Sequence, residues 1–211
     1  MMRVGNNSNE ERNKQELVGI SKAIMRTYIV TFLIGVILAT GSLGSISPGQ
    51  SEMSLSSVQS IGSGADDWWI DYPDQHPATG SEVDHPKWVL NALKKGPVLI
   101  LDHSTNCIPC IDQEDDAESV LEDLGDDNMS YFNIISDGSD RRADELLDVY
   151  DPDGGIPYIP LTIVVTLVQN SDGGVVVGWH SVVGATGKEW IRSYADDAIS
   201  YYQENSDDWN A

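Results

Sequence analysis

Hydrophobic positions fall along this chain in two different arrangements. Between Thr27 and Ser51 no residue is charged, and "YIVTFLIGVILATGSLGSI" is mostly apolar. From residue 85 onward, short apolar runs alternate with stretches of helical periodicity. "HPKWVLNALKKG" places Trp88, Leu90, Ala92 and Leu93 on one helical stripe and stops at Gly96-Pro97. "PVLIL" is short and wholly apolar, the pattern of a strand buried on both faces. "IDQEDDAESVLEDLG" brings Ile111, Ala117, Val120, Leu121 and Leu124 to near-helical spacing. "MSYFNIISD" reads as a strand, "RRADELLDVY" as a helix, and "YIPLTIVVTLV" as the strongest strand, β-branched after Pro160. "QNSDGG" turns the chain and "VVVGWHSVV" pairs back antiparallel. "TGKEWIRSYADDAISYYQEN" closes with a helix burying Trp190, Ile191, Tyr194, Ala198, Ile199 and Tyr202. The expected order is helix, strand, helix, strand, helix, strand, strand, helix: an α/β domain whose small mixed sheet carries helices on both faces.

The N-terminal run is long enough, at about 1.5 Å per residue, to cross most of a hydrocarbon core of about 30 Å. Arg12, Lys14, Lys22 and Arg26 precede it. This pattern predicts a cytoplasmic tail over 1–26, a transmembrane anchor or cleaved signal segment over 27–46, and a folded domain over 67–211 outside the cytoplasm. The Ser- and Gly-rich residues 47–66 read as a flexible linker. The protein is thus expected at the cell membrane as a single-pass chain, or secreted if the segment is cleaved. Charge sharpens the division. The chain carries -22 in all; residues 1–50 sum to +2 and residues 51–211 to -24. A domain this acidic repels nucleic acid and anionic lipid surfaces.

The chemistry sits in "ILDHSTNCIPCIDQEDDAESV", which holds both cysteines, Cys107 and Cys110. Cys107 falls at a strand-to-helix turn, where the first helical N–H groups lack intrahelical partners and favour thiolate over thiol. Cys110 lies about one helical turn further on, so a disulfide can close with little backbone movement. Pro109 stiffens that ring. One thiol can then attack a substrate disulfide and the other resolve the mixed disulfide. A structural disulfide is the bland alternative, but two intervening residues constrain the unfolded chain little. Metal capture or delivery, of copper or zinc, is another. Zinc would need two of His76, His85, His103 and His180, and no recognisable ligand spacing joins them to the pair. No cofactor and no resident metal are expected.

Residues 85–203 resemble the thioredoxin fold, on the strength of "PVLILDHSTNCIPC", "YIPLTIVV" and the terminal hairpin and helix. The resemblance implies that the cysteine pair opens a helix and that a cis-proline faces it. Ile159-Pro160 is preferred for that proline over Ile156-Pro157. It further implies a thiol-disulfide oxidoreductase with Cys107, Cys110 and Pro160 as its site. The expected clients are exported proteins with thiols or disulfides, served by an unidentified redox partner, whether as oxidant, reductant or isomerase. A metal-delivery module, or a non-catalytic binding domain, is the alternative on the same fold. Two departures stand out. Asn106 occupies the place of the family's tryptophan before the first cysteine. Leu101 occupies that of its buried aspartate, and Asp102, one residue on, should face the other way.

Overall fold

The computed structural model describes residues 58–125 and 127–210. Its elements follow the expected order. They are α1 (Lys87–Leu93), β1 (Val98–His103), α2 (Ile108–Leu124), β2 (Ser130–Ile135), α3 (Arg141–Tyr150), β3 (Leu161–Gln169), β4 (Val175–Val183) and α4 (Lys188–Asn205). A short 3-10 turn, Ser206–Asp208, follows α4. The sheet order is β2-β1-β3-β4, with β1 parallel to β2 and antiparallel to β3, and β3 antiparallel to β4.

Strand alternation divides the core in two. Val98, Ile100, Leu161, Ile163 and Val165 pack under α1 and α3 with Val89, Leu93, Leu146 and Tyr150. Leu99 and Val164 pack on the opposite side with Ala117, Val120, Ile191, Tyr194 and Ala198 of α2 and α4. All six residues of β1 and the first eight of β3 are buried, as continuous apolar runs in central strands require. The result is an α/β thioredoxin-like fold: a mixed central sheet flanked by helices, with a cysteine pair at a helix start.

The helix stripes differ in detail from the sequence pattern. In α2 the buried positions are Cys110, Gln113, Ala117 and Val120, spaced by three and four. Ile111, expected on that stripe, is exposed because the helix begins at Ile108 and turns it outward. The helix ends at Gly125, whose φ of 86° suits a residue without Cβ.

One part of the expected fold is corrected. Among the described residues no helix is long and apolar enough to cross a membrane. The longest, α4, carries Lys188, Glu189, Arg192, Asp196, Asp197 and Glu204. Among the described residues the fold is therefore an α/β domain with no membrane-spanning helix, and nothing described supports a membrane contact or a single-pass location. The stretches read as tail (1–26) and span (27–46) lie outside the described residues, as does the linker up to residue 57.

The rest of that linker is bound to the domain. The Gln59 N–H donates to Asp197 Oδ2 at 2.7 Å, and Tyr201 donates its hydroxyl to the Gln59 carbonyl. Ile61 bridges Trp68, and Trp69 exchanges two backbone hydrogen bonds of 2.9 Å with Trp179 of β4. Apolar Ile61 and the two tryptophans anchor this stretch, a signal outweighed in the sequence by its serines and glycines.

Candidate functional site

β1 and β3 are neighbours running in opposite directions, so the turn after His103 and the loop before Leu161 leave the same end of the sheet. The first carries the cysteines and the second carries Pro160. Ser104 to Asn106 form the turn, and the Cys107 N–H donates to the Ser104 carbonyl at 3.3 Å. Cys107 is the N-cap of α2, in extended conformation, with no side-chain capping bond. Pro109 sits in the first turn, where a missing N–H costs nothing.

Cys107 and Cys110 are joined in a disulfide with Cα atoms 5.2 Å apart. Cys107 is partly exposed, whereas Cys110 is fully buried. The pair is therefore asymmetric: one sulfur can be approached from solvent and the other cannot. The Ile159–Pro160 peptide bond is cis, the bond preferred from the sequence; Pro160 is buried, while Pro157 is exposed.

At the disulfide end of the sheet apolar side chains are exposed among polar ones. Among the described residues the exposed large hydrophobic ones are Val58, at the first described position, and Ile108, Ile111, Ile156 and Tyr158. Ile108 (75 % exposed) follows Cys107 and Ile111 follows Cys110. Ile156 (75 %) and Tyr158 (62 %) lie in the loop leading to Pro160.

Beneath the helix start lie polar groups that sequence reading did not assign to the site. Gln113, fully buried on α2, donates through Nε2 to Thr162 Oγ1 and Thr186 Oγ1, both at 2.9 Å. Its Oε1 accepts from the Thr186 N–H at 2.8 Å. This latch fixes the cysteine helix to the strand that follows Pro160. The available signal was a polar residue one turn after Cys110, on the stripe that faces the sheet.

His103, 1 % exposed, is the second such group. Its Nε2 meets Asn133 Oδ1, and Asn133 donates its amide to Glu114 Oε1. His103 Nδ1 has no hydrogen-bond partner and lies 4.0 Å from Glu114 Oε2. Glu114 is four residues after Cys110, on the same side of α2. His103 shares the α2-facing side of β1 with Leu99 and Leu101 through strand alternation.

Asp102 faces away from this group, as the alternation required. Its Oδ1 accepts a 2.7 Å bond from Ser136, and its Oδ2 is unpartnered. Burial pushes its carboxyl up to about 6, against the opposing effects of the Ser136 bond and of His103. Position 101, on the side of β1 that faces α2, is held by leucine and not by an acid.

The remaining histidines are held apart. His76 stacks on Tyr72, His85 meets the Tyr150 hydroxyl, and His180 is sandwiched between Trp69 and Tyr194. Among the described residues no three His, Cys, Asp or Glu side chains converge as a metal-binding group.

No family model and no curated protein matches the chain. Solved structures similar to it include chloroplastic thioredoxin z, 13% identical, with a TM-score of 0.39, over 54% of this chain and 89% of that one. A thiol:disulfide interchange protein of the thioredoxin family from Chlorobium tepidum is 19% identical, with a TM-score of 0.37, over 52% and 83%. The exposed lipoprotein thioredoxin of Streptococcus pneumoniae is 16% identical, with a TM-score of 0.34, over 51% and 89%. At these values the likeness carries no weight, and the fold rests on this chain's own strand order and register.

Proposed function

We propose that this chain is a thiol-disulfide oxidoreductase acting on protein thiols and disulfides through Cys107 and Cys110. The observation that supports the reading best is the asymmetric disulfide, approachable at Cys107 and buried at Cys110, at the start of a helix and at the same end of the sheet as Pro160. In the reducing direction the Cys107 thiolate attacks one sulfur of a client disulfide. That S–S bond breaks, a client thiolate leaves, and a mixed disulfide forms. Cys110, having lost its proton, attacks Cys107 Sγ. The second client thiolate leaves, the protein disulfide closes, and the client has gained two electrons. Oxidation of a client dithiol is the reverse sequence. Pro160 presents backbone to an extended client without placing an N–H against the sulfurs.

Cys110 is cut off from bulk water, so its proton needs an internal acceptor. In the proposal that acceptor is the partly exposed carboxylate of Glu114, one helical turn after Cys110, which Asn133 holds by a hydrogen bond and which lies 4.0 Å from His103 Nδ1.

The test is turnover of a small uncharged disulfide by the reduced full-length chain, with trapping variants alongside. Cys110→Ser accumulates a mixed disulfide through Cys107, and Cys107→Ser abolishes both trapping and turnover. Glu114→Gln keeps an acceptor for Asn133 but removes the carboxylate, so resolution slows while the initial attack does not. Trapping through Cys110 instead of Cys107, or turnover without Cys107, overturns the proposal.

A further inference from the structure

The disulfide end of the sheet combines two features that the exchange chemistry does not itself require. The first is the apolar rim of Ile108, Ile111, Ile156 and Tyr158, four of the five exposed large hydrophobics among the described residues. Among the described residues only Val58 is comparably exposed elsewhere, so their concentration on the first turn of α2 and on the loop before Pro160 marks a contact surface. The second is the absence of cationic side chains from these segments. No lysine or arginine occurs from Gly96 to Asp140, nor from Ala143 to Gly187. Those stretches supply α2, both β1- and β3-side loops and the end of β2, and they are rich in acid. Asp112, next to Ile111, is exposed, as are Asp137, just past the parallel strand β2, and Asp153, in the loop that leads to Pro160. Asp140 at the same end is already paired with Arg142 at 2.6 Å.

From this we infer that the preferred client is a cationic extended segment, with an apolar residue beside its cysteine and lysine or arginine further out. The inference rests on the exchange reading above and adds the class of substrate to it. The apolar neighbours would settle on the isoleucine and tyrosine rim, giving up water-exposed area on both partners. The lysines or arginines would meet segments whose charged side chains are all carboxylates, with Arg141 and the Asp140-paired Arg142 as the cations next to them at the start of α3, while an acidic client would meet mostly like charge. Because the carboxylates are exposed, the effect acts mainly on encounter rate and weakens as salt screens it over about 8–10 Å near physiological ionic strength.

The experiment compares three substrates with the reduced full-length chain. Two are short peptides with one internal disulfide, the cysteines flanked by leucine and then by either lysine or glutamate. The third is the small uncharged disulfide. At low ionic strength the lysine peptide should be reduced about tenfold or more faster than the glutamate peptide, a range typical of electrostatic steering. That ratio should fall severalfold at high salt, and also in a variant combining Asp112→Asn, Asp137→Asn and Asp153→Asn. Equal rates for the two peptides, or a faster glutamate peptide, overturn the inference and leave the exchange reading standing if the uncharged disulfide is turned over. Failure on the uncharged disulfide as well overturns both.

Discussion

His103 and His180 are both buried in the sheet, and the surroundings of each show what its region is for. His180 on β4 is fully accommodated: its Nδ1 meets the Asp67 carbonyl at 2.7 Å, and its ring lies between Trp69 and Tyr194 at centroid distances of 4.1 and 4.2 Å. Trp68, Trp69 and Trp179 bury their large rings around it. His103 on β1 has one nitrogen satisfied and one orphaned, beside a carboxylate reachable from solvent. The first region is closed and stabilises the domain. The second is left incomplete next to a disulfide, with apolar side chains exposed around it. Buried polar atoms without partners occur in both regions, Trp68 Nε1 and Trp179 Nε1 among them, so it is the exposed apolar side chains and the solvent-reachable carboxylate that mark the end of the sheet where chemistry is proposed.

The sharpest way to break this contrast is by truncation. Trp69→Ala removes a ring that packs on Trp179 and His180 and should cost about 3–5 kcal/mol in denaturant unfolding. Ile156→Ala and Tyr158→Ala, at exposed positions, should stay within about 0.5 kcal/mol of the parent. Similar losses at both regions would end the distinction between a stabilising and a working half.

Gln113 lies between the two cases, because it is buried like the aromatic cage yet belongs to the disulfide end. Gln113→Ala leaves two threonine hydroxyls and the Thr186 N–H without their partner, an expected cost of about 1–3 kcal/mol. Exchange rates should fall as well, since the cysteine helix loses its tie to the strand after Pro160. Lost stability with unchanged exchange would make Gln113 a packing residue only.

How far the sequence exposed these regions depends on the kind of signal each carries. Continuous apolar runs are strong over "PVLIL" and "YIPLTIVVTLV" and period-3.6 spacing over the last helix, and every element from α1 to α4 was readable from patterns of these kinds. The cysteine spacing and the β-branched run after Pro160 pointed to the disulfide end. The aromatic cage was not legible, because Trp68 and Trp69 are brought onto Trp179 and His180 only by the fold. Residues 58–66 were read as linker because serine and glycine suggest mobility, while their bonds to Asp197 and Tyr201 span more than 130 residues of chain. Gln113 and His103 escaped for the same reason: their partners Thr162, Thr186 and Asn133 come from other elements. Ile111 was misjudged because the periodicity did not fix where α2 begins.

Acid titration gives a smaller but separable effect. Burial holds His85 and His180 down to about 4, so both stay neutral in the fold below the pH at which the unfolded chain takes up their protons, about 6.5. Their contribution is fully present above about 6.5 and is lost as pH falls toward 4. Asp102, pushed up to about 6, acts oppositely: the native state holds its proton first, so stability is gained as pH falls from about 6 toward the ordinary carboxyl value. Two histidines oppose one aspartate, so their sum weakens the fold on acidification across this window. His180→Phe keeps an aromatic ring in the stack and should remove about one proton of uptake on unfolding between pH 6.5 and 4, while Asp102→Asn should steepen the acid loss. An unchanged slope in His180→Phe would place that titration elsewhere.

The most direct test of the proposed function is the alkylation rate of each thiol against pH in the reduced protein. Cys107, at the N-cap of α2 and partly exposed, should react first, with a midpoint below the free-thiol value of about 8.5. Cys110, fully buried, should react far more slowly throughout. Equal reactivity of the two thiols, with a midpoint at or above about 8.5, would contradict the account and leave the pair an inert disulfide.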